Sequence, residues 1–145
     1  MKKIKFLLVI VLVFSSISFG TVRVIDDSMV QIKNNLIFEK GEKSPFTGVY
    51  LKDFLNGRIV GKLDVSNGVY HGEMVFYHLN EKVFTRFKAY KGKFQDGTAK
   101  LYGEKGLSIG RITFKNGKII EQVRYRNGEA ITTKKNLTLE DVIYE

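Results

Sequence analysis

Apolar and polar residues alternate along much of the chain in the manner of β-strands. From residue 59 onward, one set of alternate positions is mostly apolar, and the intervening set is rich in Lys and Arg. Successive side chains of a strand point to opposite faces, so this period predicts a sheet with one buried face and one wet face. The predicted inward positions are Ile59, Leu63, Val65, Val83, Phe87, Ala89, Ile112, Phe114, Ile119, Val123 and Tyr125.

The intervening positions predict a stripe of positive charge. Strands in a sheet lie about 4.8 Å apart, so cations at equivalent positions of adjacent hairpins would stand about 10 Å from one another. The screening length at physiological salt is about 8 Å, so their repulsion is tolerable. A solvated sheet face is the alternative interpretation of the same residues. The candidate interaction stripe consists of Lys62, Arg86, Lys88, Arg111, Lys115, Arg124 and Arg126.

Residues 74–79, MVFYHL, depart from this alternation because they are apolar on both faces. A strand of this kind is typical of a position covered on both sides. The segment therefore predicts a middle hairpin that is either covered on both faces or exposed to a partner.

Glycines divide the middle of the chain into similar units. Segments 48–68, 72–92 and 97–117 align with a period of 24 and then 25 residues, and 117–128 repeats the second half of the unit. Asn-Gly favours a tight hairpin because both residues tolerate positive φ. Each unit is therefore predicted to be one β-hairpin, lying beside the next. The predicted turn glycines are Gly48, Gly57, Gly68, Gly72, Gly92, Gly97, Gly106, Gly117 and Gly128.

These patterns predict an all-β fold, an elongated antiparallel sheet of consecutive hairpins. Residues 21–44 are predicted to supply introductory strands, with an edge strand near 29–33, and residues 45–129 the sheet of repeats. Residues 130–145 are predicted to be a capping strand, a short helix or a tail. The chain contains no Cys, so packing and strand pairing must hold the fold without disulfides.

The first twenty residues resemble a secretory signal. A positive head is followed by an apolar run over 6–14 and by small residues ending at Gly20. A run of nine apolar residues is far shorter than the roughly 20 needed to span a bilayer, so a permanent anchor is the weaker alternative. Cleavage is predicted between Gly20 and Thr21. The protein is therefore predicted to be exported, to the periplasm, the cell envelope or the medium.

Net charge narrows the class of partner. Without the three lysines of the signal segment, the formal net charge falls from +9 to +6. A basic protein outside the cytoplasm rarely meets nucleic acid, so no nucleic-acid partner is expected. Acidic protein surfaces, anionic polymers and lipid headgroups are the partners that such a charge favours.

Two patterns raise the question of catalysis or metal binding. Gly106 to Gly110 reads G-x-S-x-G, the pattern of a nucleophilic serine, but both histidines of the chain precede Ser108 and no helix is predicted after it. His71, Glu73 and His78 could supply zinc ligands, but an extended strand would point His78 away from the other two. We therefore predict no enzyme activity, no metal and no cofactor.

Several motifs recur at the boundaries of the repeats. They are PFTG at 45–48, NGVYHG at 67–72, Asn80, FKNGK at 114–118 and YRNG at 125–128. With these motifs the repeats resemble the MORN-repeat family, in particular its bacterial exported variants, although the sequence departs from the pattern at Glu81, Thr85 and Gly103. The resemblance implies a binding scaffold without catalytic machinery of its own. Some members of the family are classed as antitoxins of YwqK-type toxin–antitoxin pairs.

The predicted function is that of an exported, non-enzymatic scaffold that binds a protein or a surface. One alternative is an antitoxin-like or immunity-like inhibitor of a cognate toxin. The other is a module that binds an anionic envelope polymer or membrane surface. The oligomeric state is left open.

Overall fold

The structure is a computed structural model that describes residues 21–144, and the predicted signal segment lies outside them. The described residues confirm the all-β prediction, with strands joined mainly by short turns and a single short α-helix. The strands are β1 Val24–Asp26, β2 Val30–Lys33, β3 Leu36–Glu39, β4 Gly48–Phe54, β5 Ile59–Ser66, β6 Val69–His78, β7 Val83–Tyr90, β8 Lys93–Phe94, β9 Gly97–Tyr102, β10 Ser108–Lys115, β11 Lys118–Arg126 and β12 Glu129–Leu137, and helix α1 is Leu139–Ile143.

The strands form two larger sheets and one separate hairpin. The first sheet has the order β1-β4-β5-β6-β7-β8, the second has the order β12-β11-β10-β9, and β2 pairs only with β3. Every described ladder is antiparallel except that of β1 with β4, in which Val24 lies opposite Val49. The segment near 29–33, predicted to be an edge strand, forms strand β2, which pairs with β3 in the separate hairpin and not with either larger sheet.

Two-residue turns connect most neighbouring strands. In the turn between Ser66 and Val69, Asn67 and Gly68 both adopt positive φ, at 49° and 81°. Asn116-Gly117 and Asn127-Gly128 have the same geometry, as the Asn-Gly pattern predicts. All nine predicted turn glycines have positive φ, although Gly48, Gly72 and Gly97 lie within strands.

The Asn56-Gly57 pair does not form a two-residue turn. Phe54 pairs with Ile59, so the connection between β4 and β5 has four residues, 55–58. Leu55 and Asn56 both adopt positive φ in this loop. The connection between β9 and β10 is also longer, because Tyr102 pairs with Ser108. The prediction of tight turns at these two places is wrong.

The two sheets meet where β7 lies beside β9. No backbone ladder joins these strands among the described residues, and instead the hydroxyl of Thr85 donates to the carbonyl of Lys100 at 2.9 Å. At one end of this junction, an isolated antiparallel bridge pairs Phe94 of β8 with Gly117 of the turn after β10. We call this junction the seam.

A single hydrophobic core contains buried side chains from the inner faces of both sheets. Phe87 of the first sheet lies 4.7 Å from Phe114 of the second, measured between ring centroids, and Phe94 contacts both. Leu63 and Ile112 are fully buried in the same cluster. Burial of one such side chain contributes about 1.5–3 kcal/mol, so this core supplies most of the stability.

Helix α1 packs onto this core through Val142 and Ile143. Its first turn is fixed by a capping box, in which Thr138 and Asp141 exchange hydrogen bonds. These hydrogen bonds from the backbone and side chain of Thr138 lower the pKa of the Asp141 carboxyl. The C-terminal segment therefore contains both a strand and a helix. No helix among residues 21–144 is long and apolar enough to cross a membrane.

The face of the first sheet that points away from the core, its outer face, is not uniformly wet. The side chains of Val49, Leu51, Val60 and Val75 are buried, yet they do not belong to the core cluster. The prediction of one wet face is therefore wrong for this sheet. The apolar character of MVFYHL on both faces agrees with this arrangement, because Met74 and Phe76 point into the core while Val75 points away from it.

Candidate interaction face

Strand register places positive charges in a row across the outer face of the first sheet. Lys62 of β5 lies opposite Val75 of β6, and Val75 lies opposite Arg86 of β7. Lys62 and Arg86 are thus two strands apart, about 10 Å. Arg86 is exposed, whereas Lys62 is half-buried.

The row continues on the second sheet. Lys100 of β9 lies opposite Arg111 of β10, and both side chains are exposed. The carbonyl of Lys100 accepts the hydrogen bond from Thr85, so the main chain beside Arg86 is tied to the main chain of Lys100. We call Lys62, Arg86, Lys100 and Arg111 the outer row.

Lys100 was missed in the sequence because the stripe was taken from the second strand of each repeat only. The alternation that identifies outward residues is also present in β9, where Ala99 and Leu101 are buried and Lys100 is exposed. Applying the period of two to that strand would have found the fourth cation.

Acidic side chains accompany the outer row. Lys88 Nζ lies 3.9 Å from Glu73 Oε1, and an Arg111 guanidinium nitrogen lies 3.6 Å from Glu121 Oε2. Arg111 also donates to the hydroxyl of Tyr125 at 3.0 Å. The outer face therefore carries a mixed pattern of charge and not a stripe of one sign.

The charge of Lys62 is the least exposed in the outer row. Burial lowers the pKa of the Lys62 ammonium, the carboxylate of Asp64 opposes this, and the charge of Arg86 adds to the lowering. The last effect indicates that Lys62 and Arg86 are close enough to interact.

Lys88 and Lys115 lie beside the outer row and are exposed. Lys88 is opposite Glu73 in the ladder of β6 and β7, and Lys115 is the last residue of β10. These two cations extend the predicted stripe toward the turns at one end of the sheets.

Arg124 does not belong to the stripe, because a β-bulge reverses its direction. The register between β10 and β11 shifts at Thr113 and Phe114, so Gln122 lies opposite Ile112 on the inner face. Val123 consequently lies opposite Arg111 on the outer face. The predictions that Val123 and Tyr125 point inward and that Arg124 points outward are wrong for this reason.

Arg124 instead contacts the core from the inner face. Its guanidinium donates to the carbonyl of Val142 at 3.0 Å and lies 5.9 Å from the ring centroid of Phe84. Burial lowers the pKa of the guanidinium. Arg126, two residues further along β11, is exposed, and by alternation it points to the same side.

Arg124 and Arg126 line an open cleft of about 540 Å³ at the far end of the second sheet. We call it the basic cleft. Its lining consists of Ile109, Arg124, Tyr125, Arg126, Ile131, Thr132 and Lys134. The predicted stripe is thus divided between two surfaces of the molecule.

The two glycines of G-x-S-x-G are required for different structural reasons, Gly106 for its backbone conformation and Gly110 for lack of space beside it. Gly106 lies in the loop before β10 and adopts a φ of 82°. Gly110 lies within β10, where a Cβ would come 2.4 Å from the carbonyl oxygen of Val123. Ser108 is an exposed residue at the start of β10. The nitrogen Nε2 of His78 lies 2.6 Å from the carbonyl oxygen of Tyr102, so the described partner of this histidine is a main-chain carbonyl.

The two histidines serve separate parts of the fold. Nδ1 of His71 accepts a hydrogen bond from the amide of Lys91 at 3.1 Å, and the His71 ring lies beside Tyr90. His78 is buried against Phe84. No three His, Cys, Asp or Glu side chains of residues 21–144 form a group that could hold a metal ion. The absence of enzyme activity remains a prediction.

Comparisons with protein-family models, with curated proteins and with solved structures each found no significant match.

Proposed function

We propose that this chain is an exported, non-catalytic binding module of MORN type that docks an acidic patch of another protein on its outer face. The observation that carries the proposal is the outer row of Lys62, Arg86, Lys100 and Arg111, which strand register aligns within each sheet and the hydrogen bond from Thr85 to Lys100 connects at the seam. Cations held on rigid strands present a fixed pattern that a partner can match. Complementary charge of this kind gives specificity and raises the rate of association.

The acidic residues on the same face favour a protein partner over a uniform polyanion. Glu73 and Glu121 each form an ion pair with a cation of this face, and Asp64 lies close to Lys62. An anionic polymer or lipid surface would be repelled by these carboxylates. A folded partner can place its own cations opposite them and its acids opposite the outer row, which is how interfaces reject wrong partners.

An antitoxin-like or immunity-like inhibitor is a special case of this proposal. It would use the same face but bind one cognate protein tightly and in fixed stoichiometry. A membrane- or polymer-binding module is the second alternative, and it would bind vesicles or polyanions with no single protein in the complex. Two observations distinguish the inhibitor from the membrane- or polymer-binding module. They are whether a protein or a lipid or polymer is captured, and whether binding saturates at a defined ratio.

The test is capture of partners by the exported protein from envelope and culture fractions. The diagnostic variant is Arg86→Glu with Lys100→Glu, since both side chains are exposed. The matched control is Lys40→Glu with Lys43→Glu, which makes the same change in charge in the exposed segment after β3. Thermal unfolding verifies that both variants fold.

The proposal expects one or a few proteins that bind the wild type and the control but not the outer-row variant. Each captured protein is then purified and mixed with the chain, so that direct binding is established. Equal capture by the outer-row variant would contradict the proposal. Capture of lipid or polymer alone would favour the second alternative.

A further inference from the structure

We infer that the basic cleft is a binding site for the phosphate group of a small organic phosphate. Its lining cations belong to β11 and β12 and are not members of the outer row, although the hydroxyl of Tyr125, which also lines the cleft, accepts a hydrogen bond from Arg111. Its cations are Arg124, Arg126 and Lys134, and Thr132 supplies a hydroxyl.

Strand register brings these groups together. Arg124 lies opposite Thr132, and Gln122 lies opposite Lys134, so Arg124 and Lys134 are diagonal neighbours on one face. Diagonal neighbours in an antiparallel pair stand about 7–8 Å apart, within reach of two long side chains that converge on one anion. Arg126 is the next residue of β11 on that face.

Arg124 is held in place before any ligand arrives. One guanidinium nitrogen donates to the carbonyl of Val142, and the group lies over the ring of Phe84. Arg124 also lines the cleft, so these contacts order a side chain that borders it. A fixed Arg fork matches the paired oxygens of a phosphate, and prior ordering reduces the entropy lost on binding.

Among residues 21–144, two acidic groups lie near the cleft and none lines it. Glu129 is opposite Arg126 in the ladder, and Asp141 of α1 is close enough to Lys134 for that charge to contribute to its lowered pKa. The ionisable side chains that line the described part of the cleft are Arg124, Arg126, Lys134 and Tyr125, so its lining charge is positive. A phosphate, which carries up to two negative charges, gains more from that positive charge than a carboxylate does.

The apolar part of the lining indicates that the phosphate is attached to an organic group. Ile109 is half-buried and packs against the core, and Ile131 is half exposed on β12. Tyr125 completes this side of the cleft. Apolar walls with a few polar groups that fix orientation are typical of sites for small molecules.

The test is a titration of the purified protein with phenyl phosphate, glycerol 3-phosphate, inorganic phosphate and benzoate, followed by NMR and calorimetry. We expect phenyl phosphate to bind saturably and more tightly than benzoate, with shifts of the Arg124 signals. The variant is Arg126→Gln with Lys134→Gln, whose side chains are exposed, and its matched control is Lys115→Gln with Lys118→Gln. The cleft variant should weaken phenyl phosphate at least about tenfold, because each lost group is a charge-assisted donor.

Glu129→Gln should instead increase the affinity for phenyl phosphate, since it removes a carboxylate beside Arg126. Unsaturable binding, equal binding of benzoate, or an unchanged affinity in the cleft variant would each overturn the inference. Sedimentation with vesicles that contain phosphatidic acid distinguishes a lipid headgroup from a soluble phosphate. The protein would sediment with these vesicles only if the site binds a lipid headgroup. Loss of phosphate binding in the cleft variant with retained capture of the protein partner would separate this site from the outer face.

Discussion

The hydroxyl of Thr85 donates to the carbonyl of Lys100 at 2.9 Å, and this side-chain bond spans the seam where backbone pairing between the two sheets stops. Thr85 is fully buried, so water cannot replace the bond if it is lost. The bond also fixes the main chain that carries Arg86 against the main chain that carries Lys100. The continuity of the outer row across the two sheets therefore depends on it.

Thr85→Val should destabilise the protein by about 0.5–1.5 kcal/mol, the net contribution of one hydrogen bond between partly buried groups. The two side chains have almost the same shape, so packing changes little. Denaturant unfolding measures the difference. Thr85→Ser, which keeps the hydroxyl, should retain the bond and lose only a methyl group. An equal loss of stability in both variants would show that packing, and not the hydrogen bond, holds the seam.

Gly110→Ala should destabilise the protein by about 1–3 kcal/mol, because the added methyl forces β10 and β11 apart. The cause is the 2.4 Å approach of a Cβ to the carbonyl oxygen of Val123. The matched variant is Ser108→Ala in the same motif, which should leave the unfolding free energy almost unchanged because Ser108 is exposed. If Ser108→Ala were the more damaging change, the structural account of this motif would be wrong.

Stability should decrease as pH rises above about 10. Burial raises the pKa of Tyr50, and its hydroxyl also donates to Asp27 at 2.5 Å, which raises the pKa further. Burial raises the pKa of Tyr70 to about 12. The folded state keeps these protons after the unfolded chain has released its own, so the stabilisation is complete below pH 10 and is lost as pH rises through 10 toward 12.

Denaturant unfolding between pH 9 and 12 tests this alkaline loss. Tyr70→Phe has no proton to release, so its stability should fall less steeply over that range than the stability of the wild type. Tyr144→Phe is the control, since Tyr144 is exposed and its replacement should leave the slope unchanged. Equal slopes in all three proteins would exclude Tyr70 as a source of the effect.

Local sequence rules predicted several of the turns and much of the core. Asn67-Gly68 and Asn127-Gly128 form the expected turns because the conformational preference of Asn and Gly is local and needs no tertiary information. Leu63 and Phe114 are buried as alternation predicts. In these segments, strand periodicity and the tertiary fold agree.

Features set by pairing between distant strands could not be predicted. The bulge at Thr113 and Phe114 moves Arg124 to the core and Val123 to the outer face, and no residue type in β11 signals it. The seam at Thr85 likewise arises from tertiary packing. One shift of register changes the face of every later side chain in a strand. Alternation in the sequence therefore assigned the wrong face to the residues of β11 that follow the bulge.

The central claim is that the outer row binds an acidic protein surface, and the most direct test is the dependence of Kd on salt for the purified complex with the captured partner. The account predicts that Kd for the wild type rises steeply between about 50 and 500 mM salt, since exposed charge pairs are screened over this range. For Arg86→Glu with Lys100→Glu, binding should be weak at every salt concentration. For Lys40→Glu with Lys43→Glu, the curve should follow the wild type. A wild-type Kd that does not change with salt, or an outer-row variant that follows the wild-type curve, would contradict the claim.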